Sequence, residues 1–383
     1  MACAPSSGFD LDDSSIVQEP WAPGKNRLPS IPSGLELDEK ELNEKLQEGL
    51  GSRQSTTDRQ SSDSRSTATS SLISEASSSC EYANSEQTLI FLDWDDTLFP
   101  TTFLSELYPT ELVDGKKPLP LSDVLEAAME SWRQALTQYM CAIRQSCMRC
   151  AIITNSKRPW VHSCIERFHP DLSRMIKEDL QHSICIMYAD EELKKERTAG
   201  NCFGGCLQWM HKFCESEKSP EDQRQELTLQ KHAAMFQEAS NFYSRYQNQT
   251  WKNILCIGDG KPEHDAVKTL TTVHTNTAPF RERLRTKRFR VPTTPSMKQL
   301  TFNLKLAAVL HPVYVAFDGD LDLDFTKSLQ LAEAASIFGI PQLEAWSMAS
   351  DSEEENLPGE SEFLELECAV RDWQENADLA LDV

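Results

Sequence analysis

Polar and apolar positions divide the chain into three parts. Ser, Thr, Asp, Gln and Pro dominate the first 85 or so residues, and 52–80 is a serine- and threonine-rich tract with few large apolar groups. Such a stretch cannot bury enough apolar surface to offset the entropy of ordering, so residues 1–87 are expected to be a disordered region. Within it, Leu35, Leu42 and Leu46 fall on one side of a short helical pattern, LELDEKELNEKLQEGL, which reads as a transient helix unless a partner receives it. From Thr88 the texture changes to short apolar runs separated by segments of helical period.

Four of those runs stand out: TLIFLD ending at Asp93, CAIITN ending at Asn155, SICIMYAD ending at Asp190 and NILCIGDG ending near Asp259. Each is apolar until its last residues and then abruptly polar, the pattern of buried parallel strands that open into a ligand crevice. KRFRV, ending at Val291, and VYVAFD, ending at Asp318, are further strand candidates. Helical segments lie between them: around 121–145, in RPWVHSCIERFH after Asn155, around 230–247, and in PSMKQLTFNLKLAAVL, which begins after the Thr294–Pro295 signal and Ser296. Strand and helix alternate, so the fold class expected is α/β with a doubly wound, Rossmann-like parallel sheet over residues 88–340. The remaining 341–383 is strongly acidic and reads as a solvated C-terminal tail.

Charge and cysteine content narrow the classes. Among 383 residues, 60 acidic against 38 basic give a formal charge of −22, which repels nucleic-acid phosphates and anionic lipid headgroups. Nucleic acid is not an expected partner. The first residues, MACAPSSGFDLDD, have neither a basic nor an apolar leader segment, and no run reaches the ~18 apolar residues of a membrane span. The expectation is a soluble, cytoplasmic protein without membrane attachment; no oligomeric state follows from the sequence. The chain has 12 cysteines, and several sit in apolar runs, as Cys185 and Cys256 do, which reads as reduced core thiols. Cys147 and Cys150 form a single CxxC without a second pair. Cys202, Cys206, His211 and Cys214 lie among ordinary helix residues, so zinc is not expected.

The chemistry concentrates at the strand ends. LIFLDWDDTLFP places Asp93, Asp95, Asp96 and Thr97 directly after a buried strand. A strand end holds a carboxylate rigidly, and two acids at spacing i, i+2 can divide attack and proton transfer between them. That arrangement suits phosphoryl transfer. LIFLDWDDTL, then AIITNS, then a lysine, then CIGDGKPEHDA resemble the four successive motifs of the haloacid dehalogenase-like superfamily of phosphohydrolases, over roughly residues 88–275. HPVYVAFDGDLDLDF resembles a C-terminal segment of plant and protist members, which carries the similarity to about residue 325 and brings no substrate with it.

The resemblance implies a Mg2+-dependent phosphatase acting through an aspartyl-phosphate intermediate. Asp93 aligns with the nucleophile, and Asp95 with the general acid that protonates the leaving oxygen and then activates water. Thr97 would brace the turn through its hydroxyl, beside Asp96 in a variable position. Thr154 would hold a phosphoryl oxygen with its hydroxyl and the following N–H of Asn155. Lys231, at the start of a helix, aligns with the charge-neutralising lysine, with Lys212 and Lys218 as competitors. Asp259 aligns with the magnesium-binding acid, and Glu263 or Asp265 with the second acid of that motif. Mg2+ would be held by Asp93, the Asp95 backbone carbonyl, Asp259 and Glu263. Phosphomonoester hydrolysis needs accelerations up to ~10²¹, whereas a positioned acid or base supplies only ~10²–10⁴, so metal, lysine and nucleophile carry most of the load.

Only about 50 residues separate the first two motifs, which leaves no room for a large cap domain. Residues 191–229 could supply a small lid. An open site admits either a phosphorylated small molecule or a phosphoprotein as substrate. A non-catalytic phosphate-binding scaffold and a phosphotransferase are the alternative readings. RERLRTKRFR at 281–290 is a basic cluster that either attracts phosphate or forms the solvent side of a strand and helix.

Overall fold

The computed structural model describes residues 81–109, 112, 121–178, 183–198, 219–247, 249–273, 283–327, 329–347 and 359–379. Six strands, β1 (Thr88–Leu92), β2 (Arg149–Thr154), β3 (Ser183–Tyr188), β4 (Asn253–Gly258), β5 (Arg285–Arg290) and β6 (Leu321–Asp324), form one sheet. Its order is β3-β2-β1-β4-β5-β6 and every adjacent pair is parallel. The helices are α1 (Thr101–Leu107), α2 (Asp123–Ser146), α3 (Trp160–Phe168), α4 (Pro170–Glu178), α5 (Ala189–Thr198) and α6 (Pro220–Tyr243). They continue with α7 (Lys261–Val273), α8 (Met297–Ala316), α9 (Leu329–Phe338), α10 (Gln342–Ser347) and α11 (Glu360–Leu379). This is an α/β fold with helices on both faces of a parallel, Rossmann-like sheet.

Period-2 alternation in β1 builds both layers at once. Ile90 and Leu92 join the core shared with α2, α3 and α8, while Leu89 and Phe91 join the core shared with α6 and α7. The chain progresses outward from β1 to β3, then returns to the other side of β1 for β4. The reversal leaves a crevice above the C-terminal ends of β1 and β4, where open α/β sheets bind ligands. None of the described helices is long and apolar enough to cross a membrane.

Both long outer helices start as their sequences suggest. Ser122 caps α2 by accepting from Leu125 N, and Ser296 and Gln299 form a reciprocal capping box at α8. VYVAFD departs from its strand expectation. Its first four residues, 313–316, are the end of α8, where Leu306, Leu310, Val313 and Tyr314 are buried at helical spacing and outweigh the β-propensity of valine and tyrosine. The sixth strand is instead the acidic LDLD, with Leu321 and Leu323 buried and Asp322 exposed. Its acids, with Asp318 and Asp320 just before it, answer the basic cluster: Arg283–Asp320 at 2.5 Å, Arg285–Asp318 at 2.8 Å, Arg288–Asp322 at 2.6 Å and Arg290–Asp324 at 3.6 Å. The cluster's described arginines are thus paired within the molecule.

The folded part exceeds 88–340 at both ends. Tyr82 is buried, donates to Ala316 O at 2.6 Å and lies under the Arg285 guanidinium. The acidic segment from 360 is not wholly solvated: it forms α11, with Leu366 and Val370 buried and Phe363 edge-on to Phe302 of α8. Phe363, Leu366, Val370 and Trp373 fall at helical spacing beneath a surplus of glutamate, so one apolar stripe docks an otherwise acidic helix. The N-terminal expectations for residues 1–80 lie outside the described residues.

At the N-terminal edge of the sheet, buried polar groups close on one another. Asn253 Nδ2 donates to Thr88 Oγ1 and to Val315 O, both at 3.1 Å. Lys287 Nζ donates to Asn253 Oδ1 and Val315 O, both at 2.8 Å. With no carboxylate in that contact set, burial holds the Lys287 ammonium well below its ordinary pKa.

Candidate metal and phosphoryl site

Asp93 follows β1 directly, and its backbone N–H donates to Ile257 O of β4 at 3.0 Å, so the side chain stands at the crevice. It is buried. Lys231 meets it from α6. The sheet-facing stripe of that helix is Lys231, Ala234, Met235, Glu238, Ala239 and Phe242, and each polar member of the stripe has a sheet partner. Glu238 pairs with Arg149 of β2. Lys231 Nζ reaches Asp93 Oδ1 at 2.5 Å, Ile153 O at 2.5 Å and Glu263 Oε1 at 2.8 Å. Lys231 lies midway along a helix that begins at Pro220, not at a helix start as expected; capping by Ser219 and Asp222 sets that earlier beginning. Lys212 and Lys218 lie outside the described residues.

Glu263, in the first turn of α7, folds back over the β4–α7 turn. A Cβ on Gly258 would stand 2.8 Å from Glu263 Cγ and 3.4 Å from Asp93 Cβ. Glycine at 258 is therefore a requirement of close approach between the two acids. The carboxylate oxygens of Asp93, Asp259 and Glu263 come within 4.8 Å of one another. Asp265 faces His264 instead, with the pair at 3.8 Å, and His264 also bonds Asp322 at 2.5 Å. Of the two alternatives for the second acid, Glu263 is the one in the cluster.

Three carboxylates around one ammonium carry excess negative charge. Burial pushes the Asp93 carboxyl well above the ordinary range; Lys231 opposes the rise, and Glu263, Asp259 and Asp95 add to it. Burial likewise raises Asp259 to about 7, helped by Glu263 and Asp96. Burial works against the charge of Lys231, yet Asp93 and Glu263 outweigh it and hold the ammonium charged. Glu263 Oε2 is buried without a hydrogen-bond partner. An all-oxygen, net-negative donor set with an orphaned carboxylate oxygen fits a hard metal ion.

Asp95 points elsewhere. Its Oδ1 accepts from Thr101 Oγ1 at 2.6 Å and Trp160 Nε1 at 2.7 Å, and its Oδ2 from Thr154 Oγ1 at 3.1 Å and Ser156 Oγ at 2.7 Å. Its carboxylate is not in the acidic cluster, so any metal contact there is left to the backbone carbonyl. Thr154 is wholly buried, and its hydroxyl also accepts Ser156 N at 2.9 Å, so it is spent on Asp95 and its own loop. Asn155 Oδ1 is buried without a partner. Thr97 does not brace the turn through its hydroxyl, which is also buried and unpartnered. The bracing comes from Asp96, at φ 54, whose carboxylate accepts Thr102 N at 2.8 Å and Thr102 Oγ1 at 2.5 Å. Aspartate tolerates that left-handed backbone better than most residues.

The donors Thr101, Ser156 and Trp160 were not singled out by sequence reasoning. Ser156 closes the AIITNS motif and so offered a signal; Thr101 and Trp160 reach Asp95 only through the folding of their loops. The proposed lid falls mostly on 199–218, outside the described residues, as do Cys202, Cys206, His211 and Cys214. Cys147 and Cys150 are buried free thiols, and burial pushes Cys150 up.

No protein-family model, curated protein or solved structure matches the chain. Fold and site define a class on their own terms: a parallel α/β sheet whose central C-terminal edge carries an acidic cluster able to hold a metal ion.

Proposed function

We infer that the chain is a Mg2+-dependent phosphomonoester hydrolase with a haloacid dehalogenase-like core, acting through an aspartyl-phosphate at Asp93. The observation that carries this reading is the buried contact of Lys231 Nζ with Asp93 Oδ1 at 2.5 Å, beside carboxylates of Asp259 and Glu263. A carboxylate fixed at a strand end against a cation can approach an anionic phosphoryl group; an isolated one would be repelled. Asp93, Asp259 and Glu263 would hold Mg2+, which when bound supplies further neutralisation of phosphoryl charge.

In the first half-reaction an Asp93 oxygen bonds to phosphorus as the ester P–O bond breaks, and Asp95 gives its proton to the departing oxygen. In the second, Asp95 takes a proton from water as the water oxygen bonds to phosphorus. The P–O bond to Asp93 breaks, and both carboxyls return to their starting states. Lys231 keeps Asp93 oriented and offsets charge throughout. The substrate class is a phosphorylated small molecule or a phosphoprotein.

The test is phosphate release from an aryl phosphate by purified protein. Release should require Mg2+ and vanish in Asp93→Asn with the circular dichroism spectrum unchanged. Turnover that persists in that variant, or no turnover by the native chain, overturns the reading.

A further inference from the structure

The four hydrogen bonds on Asp95 are not equivalent. Hydroxyls give or take a proton by rotating, whereas an indole N–H only gives. At Oδ2, both partners are hydroxyls: Thr154, whose oxygen also accepts Ser156 N, and Ser156. The Ser156 hydroxyl is the closer of the two, at 2.7 Å against 3.1 Å, and can turn round. At Oδ1, the Trp160 N–H is a fixed donor at 2.7 Å. The ring is the first residue of α3 and stands edge-on to Phe99, their centroids 6.2 Å apart. Phe99 is itself stacked on Trp94 and packed against Trp132 and Phe168. An aromatic cluster thus holds the indole against Oδ1.

We propose that Trp160 is a positioning residue for proton transfer: its N–H reserves Oδ1 of Asp95 and leaves Oδ2, beside Ser156 and Thr154, as the oxygen that passes the proton. This rests on the phosphatase reading above. When the ester bond breaks, the proton leaves Oδ2 for the departing oxygen; when water attacks, Oδ2 recovers a proton from it. Ser156 follows by rotation, accepting from a protonated Oδ2 and donating to an ionised one. Without the indole the carboxyl can rotate and present either oxygen.

The leaving group separates this role from a purely structural one. Dinitrophenolate departs without protonation, whereas phenolate benefits from an acid, and kcat/KM reports only the steps up to phospho-enzyme formation. Trp160→Phe should lower kcat/KM for phenyl phosphate roughly tenfold or more, a fraction of the ~10²–10⁴ a general acid supplies. For 2,4-dinitrophenyl phosphate the change should stay within about twofold, since no acid assistance is then lost. Equal losses on both esters, or no loss on either, overturn the inference while native turnover leaves the phosphatase reading standing. A native chain inactive on both esters with Mg2+ removes both. Should the Phe variant not fold, the benzothienyl analogue of tryptophan at position 160, with sulfur in place of N–H, carries the same comparison.

Discussion

Lys231 and Asp93, separated by 138 positions in sequence, make a 2.5 Å contact in which neither side chain is more than marginally exposed. Two charges in such a place are there together or not at all: removing one partner of a buried pair costs ~3–5 kcal/mol because the other is stranded. Lys231→Met should therefore destabilise the fold by about that amount. Adding Asp93→Asn should cost less than the sum of the two single changes. Urea midpoints of the four proteins decide this, and strict additivity would show that the two side chains are not coupled.

The acidic cluster gives a ligand-dependent prediction that needs no turnover. A cation bound only by the folded chain stabilises it by about 2.7 kcal/mol at one hundred times its dissociation constant. Mg2+ should raise the melting temperature of the native protein, and Asp259→Asn should erase the rise. Equal shifts in the two proteins would move the cation elsewhere.

His311 supplies a pH dependence with a definite sign. It is fully buried between α8 and α2, hydrogen-bonded to Ser146 Oγ at 2.6 Å, and burial, with Lys287 nearby, lowers its pKa to about 3. The unfolded chain takes up a proton near pH 6.5 and the folded one does not, so stability falls as pH drops from about 6.5 toward 3. At pH 5 the loss from this residue is about 2 kcal/mol. His311→Leu should shrink the drop in unfolding free energy between pH 7.5 and pH 5 by that amount, each protein being compared with itself. An unchanged drop would mean that His311 titrates alike in both states.

The last helix offers a stability test of its docking. Leu366 is fully buried and Leu364 is 61% exposed two positions away. Leu366→Ala should cost ~2–4 kcal/mol, as core leucine truncations do, and Leu364→Ala should stay within ~0.5 kcal/mol. Equal midpoints in chemical denaturation would place α11 off the core.

Much of this was legible in the chain. Strands β1 to β4 announced themselves because buried parallel strands are apolar runs with abrupt polar ends, and Asp93, Thr154 and Asp259 stand at three of those ends. The acidic β6 was hidden because only Leu321 and Leu323 need be apolar on a short edge strand. VYVAFD misled because valine and tyrosine favour strands when nothing is known of the helix face that buries them. At α11 the charge of the exposed face masked four apolar residues at helical spacing. The partners of Asp95 were the least visible, since Trp160 and Thr101 meet it only after two separate loops have closed.

The strand order also governs how the site comes into being. Residues 81–198 carry Asp93, Asp95 and Thr154, while 219–379 carry Lys231, Asp259 and Glu263. The first half brings Asp93 and Asp95 to the site without Lys231, and the second brings Lys231 and two acids without Asp93. A chain severed between them would yield two fragments each holding part of the cluster, and the cluster would form again only when α6 laid Lys231 across β2 and β1.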